Sequence, residues 1–242
     1  MPKIYWLEQR QGDIPETNDW LGAGELSVLH SLVFLKRRND WRLGRWTAKC
    51  AFAQTHRLRI AADVLAQIEI LAAASGAPQL FIHARPEQVT ISISHRSDSA
   101  ICAITAPKTR LGCDLEQVEP HTAAFVEDYF TPAERALIAR APVQDHPRLA
   151  TLLWSAKEST LKALQLGLRA DTRSVQIQLS PLQPNRWSSF RSQTDEADVF
   201  QGWWCEENGM IRTIVAASAE GQPIQLSLRE ENCNLSLSSA SD

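Results

Sequence analysis

VTISISHRSDSAICAITAPKTRLGCDLE, residues 89–116, is the stretch from which the fold can be read. From Val89 to Ser94, β-branched and small polar residues alternate, as in a half-buried strand. The polar turn His95 to Ser99 leads into the apolar run Ala100 to Thr105, its hairpin partner. Pro107 to Arg110 is a polar connector carrying two cations, Lys108 and Arg110. Leu111 to Leu115 is a further strand-like run.

Upstream, Leu21 to about Ala74 has few Pro or Gly, and its apolar residues recur at three- and four-residue spacing, which predicts helix. Ser75-Gly76-Ala77-Pro78 breaks it. Downstream, Thr131-Pro132-Ala133-Glu134 has the order of a helix start, with Thr as N-cap, Pro first and Glu third. A helix is expected over Leu149 to Leu168, ending near Gly167. Strands are expected over Val175 to Leu179 and Ile211 to Ala217. The Ser-rich tail from about Arg229 is expected to fray. Trp46-Thr-Ala-Lys49 and Trp154-Ser-Ala-Lys157 form a faint repeat, short enough to arise by chance.

The chain has 242 residues, 44% hydrophobic and 22% charged, with net charge −3. Those values suit a soluble globular protein and give no global attraction to nucleic acid or an anionic membrane. Met1 to Gln11 has no apolar core of a secretory signal, and no apolar run is long enough to span a bilayer. The five cysteines (Cys50, Cys102, Cys113, Cys205 and Cys233) are scattered without a CxxC pair, against a disulfide framework or zinc site. A cytoplasmic location is the expectation.

Four groups of residues bear on chemistry. On a strand, Asp114 and Glu116 share one face while Cys113 and Leu115 point to the core. Such a pair suits Mg²⁺, which takes one or two carboxylates and completes its shell with water and phosphate, but it equally suits a solvated strand end. Trp154, Glu158 and Lys162 lie at i, i+4 and i+8 of a helix, with Lys157 beside them. Glu158 fits a third metal carboxylate and general base, or half of a plain surface ion pair. Arg38, Arg42, Arg45 and Lys49 form a cationic stripe, with only Asp40 near in sequence to offset it; an anionic ligand or plain solvation would relieve it. Ser94 and His95 are neighbours on a strand and so face opposite ways, which opposes a catalytic triad and leaves a phosphate-binding turn or an unliganded turn. There is no Walker A sequence and no GxGxxG.

In their order, Gly76-Ala77-Pro78, Ile91-Ser-Ile-Ser94-His95, Gly112-Cys-Asp114-Leu-Glu116, Phe130-Thr-Pro-Ala-Glu134 and Trp154-Ser-Ala-Lys157-Glu158-Ser resemble the Sfp-type 4′-phosphopantetheinyl transferases, from about Leu29 to Ala217. The resemblance implies an α+β fold of two similar halves in a pseudo-twofold arrangement, each a small antiparallel sheet packed on a long helix. Residues 1–107 and 108–228 would be the halves, with 229–242 a tail. It implies Mg²⁺ (or Mn²⁺) on Asp114, Glu116 and Glu158. Coenzyme A, the substrate, would meet Arg38, Arg45, Ser94, His95, Lys157 and Lys162.

The implied reaction moves phosphopantetheine to a serine of an acyl or peptidyl carrier protein. Glu158, or a water it positions, would be the base, and Lys162 would stabilise the leaving 3′,5′-adenosine diphosphate. The enzyme would be a cytoplasmic monomer serving fatty-acid, polyketide or nonribosomal-peptide synthesis, without nucleic-acid or membrane partners. The carrier would dock near Phe125 to Phe130 or on the Arg-rich helix. Two departures stand out: Ala77 where the family's turn has lysine, and Arg96 where a serine is frequent. A coenzyme A-dependent acyltransferase and a non-catalytic carrier-binding module are the alternatives.

Overall fold

Strand β1 (Tyr5–Arg10) precedes two helices, α1 (Ala23–Ser31) and α2 (Leu35–Thr55), and a short turn of helix, α3 (Ala62–Leu65). Strands β2 (Ile68–Ala72), β3 (Pro78–Ile82), β4 (Arg85–Pro86), β5 (Thr90–Arg96), β6 (Ser99–Thr105) and β7 (Leu111–Gln117) follow. Helices α4 (Ala123–Tyr129), α5 (Pro132–Arg140) and α6 (His146–Ala163) come next, then β8 (Val175–Leu179), β9 (Ser188–Thr194), β10 (Val199–Glu207), β11 (Met210–Ala216) and β12 (Ile224–Gln225). The structure is a computed structural model and describes residues 1–166, 170–181 and 187–227. The expected frayed tail and the helix end at Gly167 lie outside the described residues.

The strands form three sheets, ordered β12-β1-β6-β5, β7-β11-β10-β9-β8 and β2-β3-β4. Only β1 with β12 is parallel among these pairs. The α+β class expected from the sequence is therefore the class observed. One core surrounds α2, including Trp20, Trp46, Phe52 and Ile70. A second surrounds α6, including Phe130, Leu153, Phe190 and Phe200. A third, with Trp6, Ile101, Cys113 and Ile214, lies between the two larger sheets.

Where the strand and helix-start signals were explicit, the chain follows them. The β5–β6 hairpin pairs Ile91 with Ile104 and His95 with Ala100. At α5, Thr131 Oγ1 accepts from the Glu134 N–H and Glu134 Oε2 accepts from the Thr131 N–H, a closed capping box. The helix expected up to Ala74 is a correction: α2 stops at Thr55, and residues 68–72 are strand. Ile68 and Ile70 are buried while Glu69 and Leu71 are less so, a two-residue period. The Ser75–Pro78 turn, with Gly76 at φ +87°, closes β2 onto β3 rather than ending a helix. Helix α6 also ends earlier than expected, at Ala163.

The faint WxAK repeat marks matching interior contacts. Lys49 Nζ lies 2.5 Å from Glu25 Oε2 and donates to the Trp20 and Leu65 carbonyls. Lys157 Nζ lies 2.8 Å from Glu134 Oε2 and donates to the Thr172 and Val175 carbonyls. Each glutamate also accepts from a strand N–H, Ile70 for Glu25 and Ile177 for Glu134. In both cases one charged pair fastens a long helix, a capped helix and a strand together.

Removing one member of a buried pair leaves the other charge uncompensated. Lys157→Met is therefore expected to lower unfolding stability by about 3–5 kcal/mol in urea titrations. Adding Glu134→Gln should recover part of that loss.

Candidate active site

The edge strands β5 and β7 meet along a seam between the two larger sheets. Ser92 Oγ accepts from the Cys113 N–H at 3.0 Å, and Ser94 Oγ donates to Asp114 Oδ1 at 2.8 Å. Helix α6 covers the seam. A Cβ on Gly112 would stand 1.8 Å from the Ser159 carbonyl oxygen, so the helix approaches β7 at a distance only glycine permits. Thr213, opposite Asp114 on β11, donates to the Ser155 carbonyl and to Ser159 Oγ. These contacts set the rotation of α6 and leave Trp154, Glu158 and Lys162 half-buried along one stripe.

Lys162 Nζ donates to Asp114 Oδ1 at 2.7 Å, to Ser94 Oγ at 2.9 Å and to the Cys113 carbonyl at 3.1 Å. Asp114 is 3% exposed. Burial alone would lower the Lys162 pKa, but the Asp114 carboxylate leads the neighbouring negative groups that raise it overall. Burial, reinforced by the Asp114 charge, pushes Glu116 up to about 7; Arg96, a Trp154 hydrogen bond and Lys162 pull against this. Burial also raises Glu158, with Lys162 opposing.

Among the described residues, no three His, Cys, Asp or Glu side chains form a ready metal-binding group. The trio Asp114, Glu116 and Glu158 is thus not gathered into one cage, and Lys162 supplies the compensating charge. Two oxygens nevertheless stay buried without a hydrogen-bond partner: Asp114 Oδ2 and Glu158 Oε1. Unsatisfied hard carboxylate oxygens beside raised carboxyl groups fit a hard divalent cation such as Mg²⁺.

Two clefts flank the cluster and share Gly76, Pro78 and Ile93 as walls. The larger, about 710 Å³, runs from Ser75–Pro78 past Thr90 and Lys108 to Lys162. The smaller, about 380 Å³, is lined by Arg37, Asp40, Trp41, Arg45 and His95. His95 Nε2 is 3.7 Å from Asp40 Oδ2, and burial lowers its pKa. Arg45 lies over the Trp41 ring, and its Nε is buried without a partner.

The residues expected to bind coenzyme A therefore separate. Ser94 and Lys162 join Asp114 at the seam, while His95 and Arg45 face the smaller cleft. Arg38 lines neither cleft. Lys157 is a correction: it is 0% exposed and committed to Glu134, so it presents no ammonium to a phosphate. Lys49 likewise leaves the cationic stripe for Glu25. Arg37 and Trp41 are cleft residues that the cationic stripe did not include, and nothing in the spacing of Asp40 beside it or of Lys108 in the connector assigned them to a cleft.

Glu116 is expected to titrate around pH 7 when followed by carboxyl ¹³C chemical shift. Trp154→Phe removes a hydrogen bond to the carboxylate and should move that titration higher.

Comparison with known proteins places part of this chain. No curated protein sequence matches it. Two solved structures are similar in part. One is a holo-(acyl-carrier-protein) synthase from Bacillus anthracis str. Ames in complex with CoA (3′,5′-ADP), 23% identical, covering 43% of this chain and 94% of that one with TM-score 0.36. The other is Thermotoga maritima holo-[acyl-carrier-protein] synthase, 20% identical, covering 54% and 76% with TM-score 0.35. The family model "ACPS: 4′-phosphopantetheinyl transferase superfamily" matches residues 110–208. That segment contains Asp114, Glu116, Glu158 and Lys162, and over it the chain is similar to the 4′-phosphopantetheinyl transferase superfamily.

Proposed function

We propose that the chain transfers the 4′-phosphopantetheine arm of coenzyme A to a serine of an acyl or peptidyl carrier protein, releasing 3′,5′-adenosine diphosphate. The observation that carries this reading is the Lys162–Ser94–Asp114 network, with Glu158 beside it, opening onto a cleft with cationic walls.

Asp114 and Glu158, with Glu116 close by, would hold Mg²⁺ or Mn²⁺, which when bound draws in phosphate oxygens and makes phosphorus more electrophilic. Arg37, Arg45 and His95 hold the 3′-phosphate end of coenzyme A in the smaller cleft; Lys108 and Lys162 face its diphosphate in the larger one. Ala77 lines the larger cleft without a charge, and Lys108 supplies a cation on the same cleft. Glu158 takes the proton of the carrier serine, directly or through a water, helped by the raised affinity for protons that burial gives it. The serine oxygen bonds to the pantetheine-bearing phosphorus as the bond to the bridging diphosphate oxygen breaks. Lys162 stabilises the negative charge left on that oxygen.

We further read the enzyme as a cytoplasmic monomer. No described helix is long and apolar enough to cross a membrane, and Cys50, Cys102 and Cys113 are buried free thiols. The carrier surface at Phe125 is less open than expected, because that ring packs against His121, Tyr129 and Trp154.

The test is incubation with coenzyme A, Mg²⁺ and a panel of apo carriers from fatty-acid, polyketide and nonribosomal-peptide systems, read by intact-protein mass spectrometry. One carrier should gain a single phosphopantetheine. Asp114→Asn and Lys162→Met should each lower kcat/KM on it by about 100-fold or more. A panel left entirely unmodified defeats the proposal.

A further inference from the structure

The three acids at the seam are unequally engaged. Asp114 Oδ2 and Glu158 Oε1 are buried with no hydrogen-bond partner. Glu116 is held from two sides. Arg96 Nε lies 3.4 Å from its Oε2, and the Trp154 side chain hydrogen-bonds to the same carboxylate. Arg96 Nη2 also reaches Glu119 Oε1 at 2.6 Å. A single guanidinium at the end of β5 therefore clasps two carboxylates on and just beyond β7.

This arrangement bears on a cation in two ways, and both have the same sign. The Arg96 Nε ion pair and the Trp154 hydrogen bond hold the Glu116 carboxylate on their side and compete with a metal for its oxygens. Its positive charge also repels a dication placed beside Glu116. Asp114 carries a cation as well, but Lys162 bonds to Oδ1 and leaves Oδ2 open.

We propose that Arg96 withholds Glu116 from the metal, so that Asp114 and Glu158 are the two carboxylates that grip it. Arg96 is then a positioning residue that sets metal affinity from outside the coordination shell. The inference rests on the divalent-cation reading above.

The experiment titrates Mn²⁺ into the full chain without coenzyme A, following free Mn²⁺ by electron paramagnetic resonance. It compares wild type with Arg96→Ser, Arg96→Lys and Asp114→Asn. Asp114→Asn should lose binding. Arg96→Ser should bind Mn²⁺ about tenfold more tightly, because a third carboxylate is released and a repelling charge is gone. Arg96→Lys keeps the charge without the fork and should fall between wild type and Arg96→Ser. Unchanged or weaker binding by Arg96→Ser, with binding lost in Asp114→Asn, overturns the role of Arg96 and leaves the metal reading intact. If wild type binds no Mn²⁺, or Asp114→Asn binds as wild type does, the metal reading fails and this inference fails with it.

Discussion

Helix α6 lies against β7 at the limit of van der Waals contact, because Gly112 offers no Cβ to the Ser159 carbonyl. Most of the site depends on that approach. It brings Lys162 to 2.7 Å from Asp114, and with the Thr213 contacts it fixes which helix stripe faces the seam. A larger residue at 112 would push the helix outward, and the Lys162–Asp114 bond would lengthen with it. The glycine beside the acids is thus a packing requirement of the site.

Three lysines are drawn inward, and their surroundings explain their different uses. Lys49 and Lys157 each have a dedicated glutamate and two backbone carbonyls, so their hydrogen-bonding capacity is spent inside the core. Lys162 also makes three hydrogen bonds, but its side chain remains 27% exposed and lines the larger cleft. A buried ammonium with every donor satisfied holds a fold together. One that still meets solvent can exchange part of its shell for a ligand.

Residues 89–117 were legible because strand alternation, a short polar turn and an apolar return all agreed. The Thr131 capping box was legible for the same reason, since its partners are three residues apart. The buried lysines were not. Neighbouring helix positions are rotated by about 100°, so Lys157 beside Glu158 points to a different side, and sequence alone does not say which side is interior. Their partners, Glu25 and Glu134, stand on other helices, and no local spacing links them. The strand at Ile68–Ala72 was lost because its few residues were absorbed into the helical periodicity before it. The smaller cleft was invisible because Arg37 and Arg45 on α2 become neighbours of His95 only when β5 packs beside that helix.

The charges around the seam set a condition on any ligand. Asp114 and Glu158 present buried oxygens without partners, while Arg37, Arg45, Lys108 and Lys162 line the adjoining clefts. An anion alone would satisfy the cationic walls and be repelled by the acids. A cation alone would satisfy the acids and be repelled by the walls. A phosphate-bearing ligand that arrives with a divalent cation meets both demands together, because the cation bridges acid and phosphate while the basic side chains take the remaining charge. The layout of charge is thus the physical support for the metal-assisted phosphate chemistry proposed above.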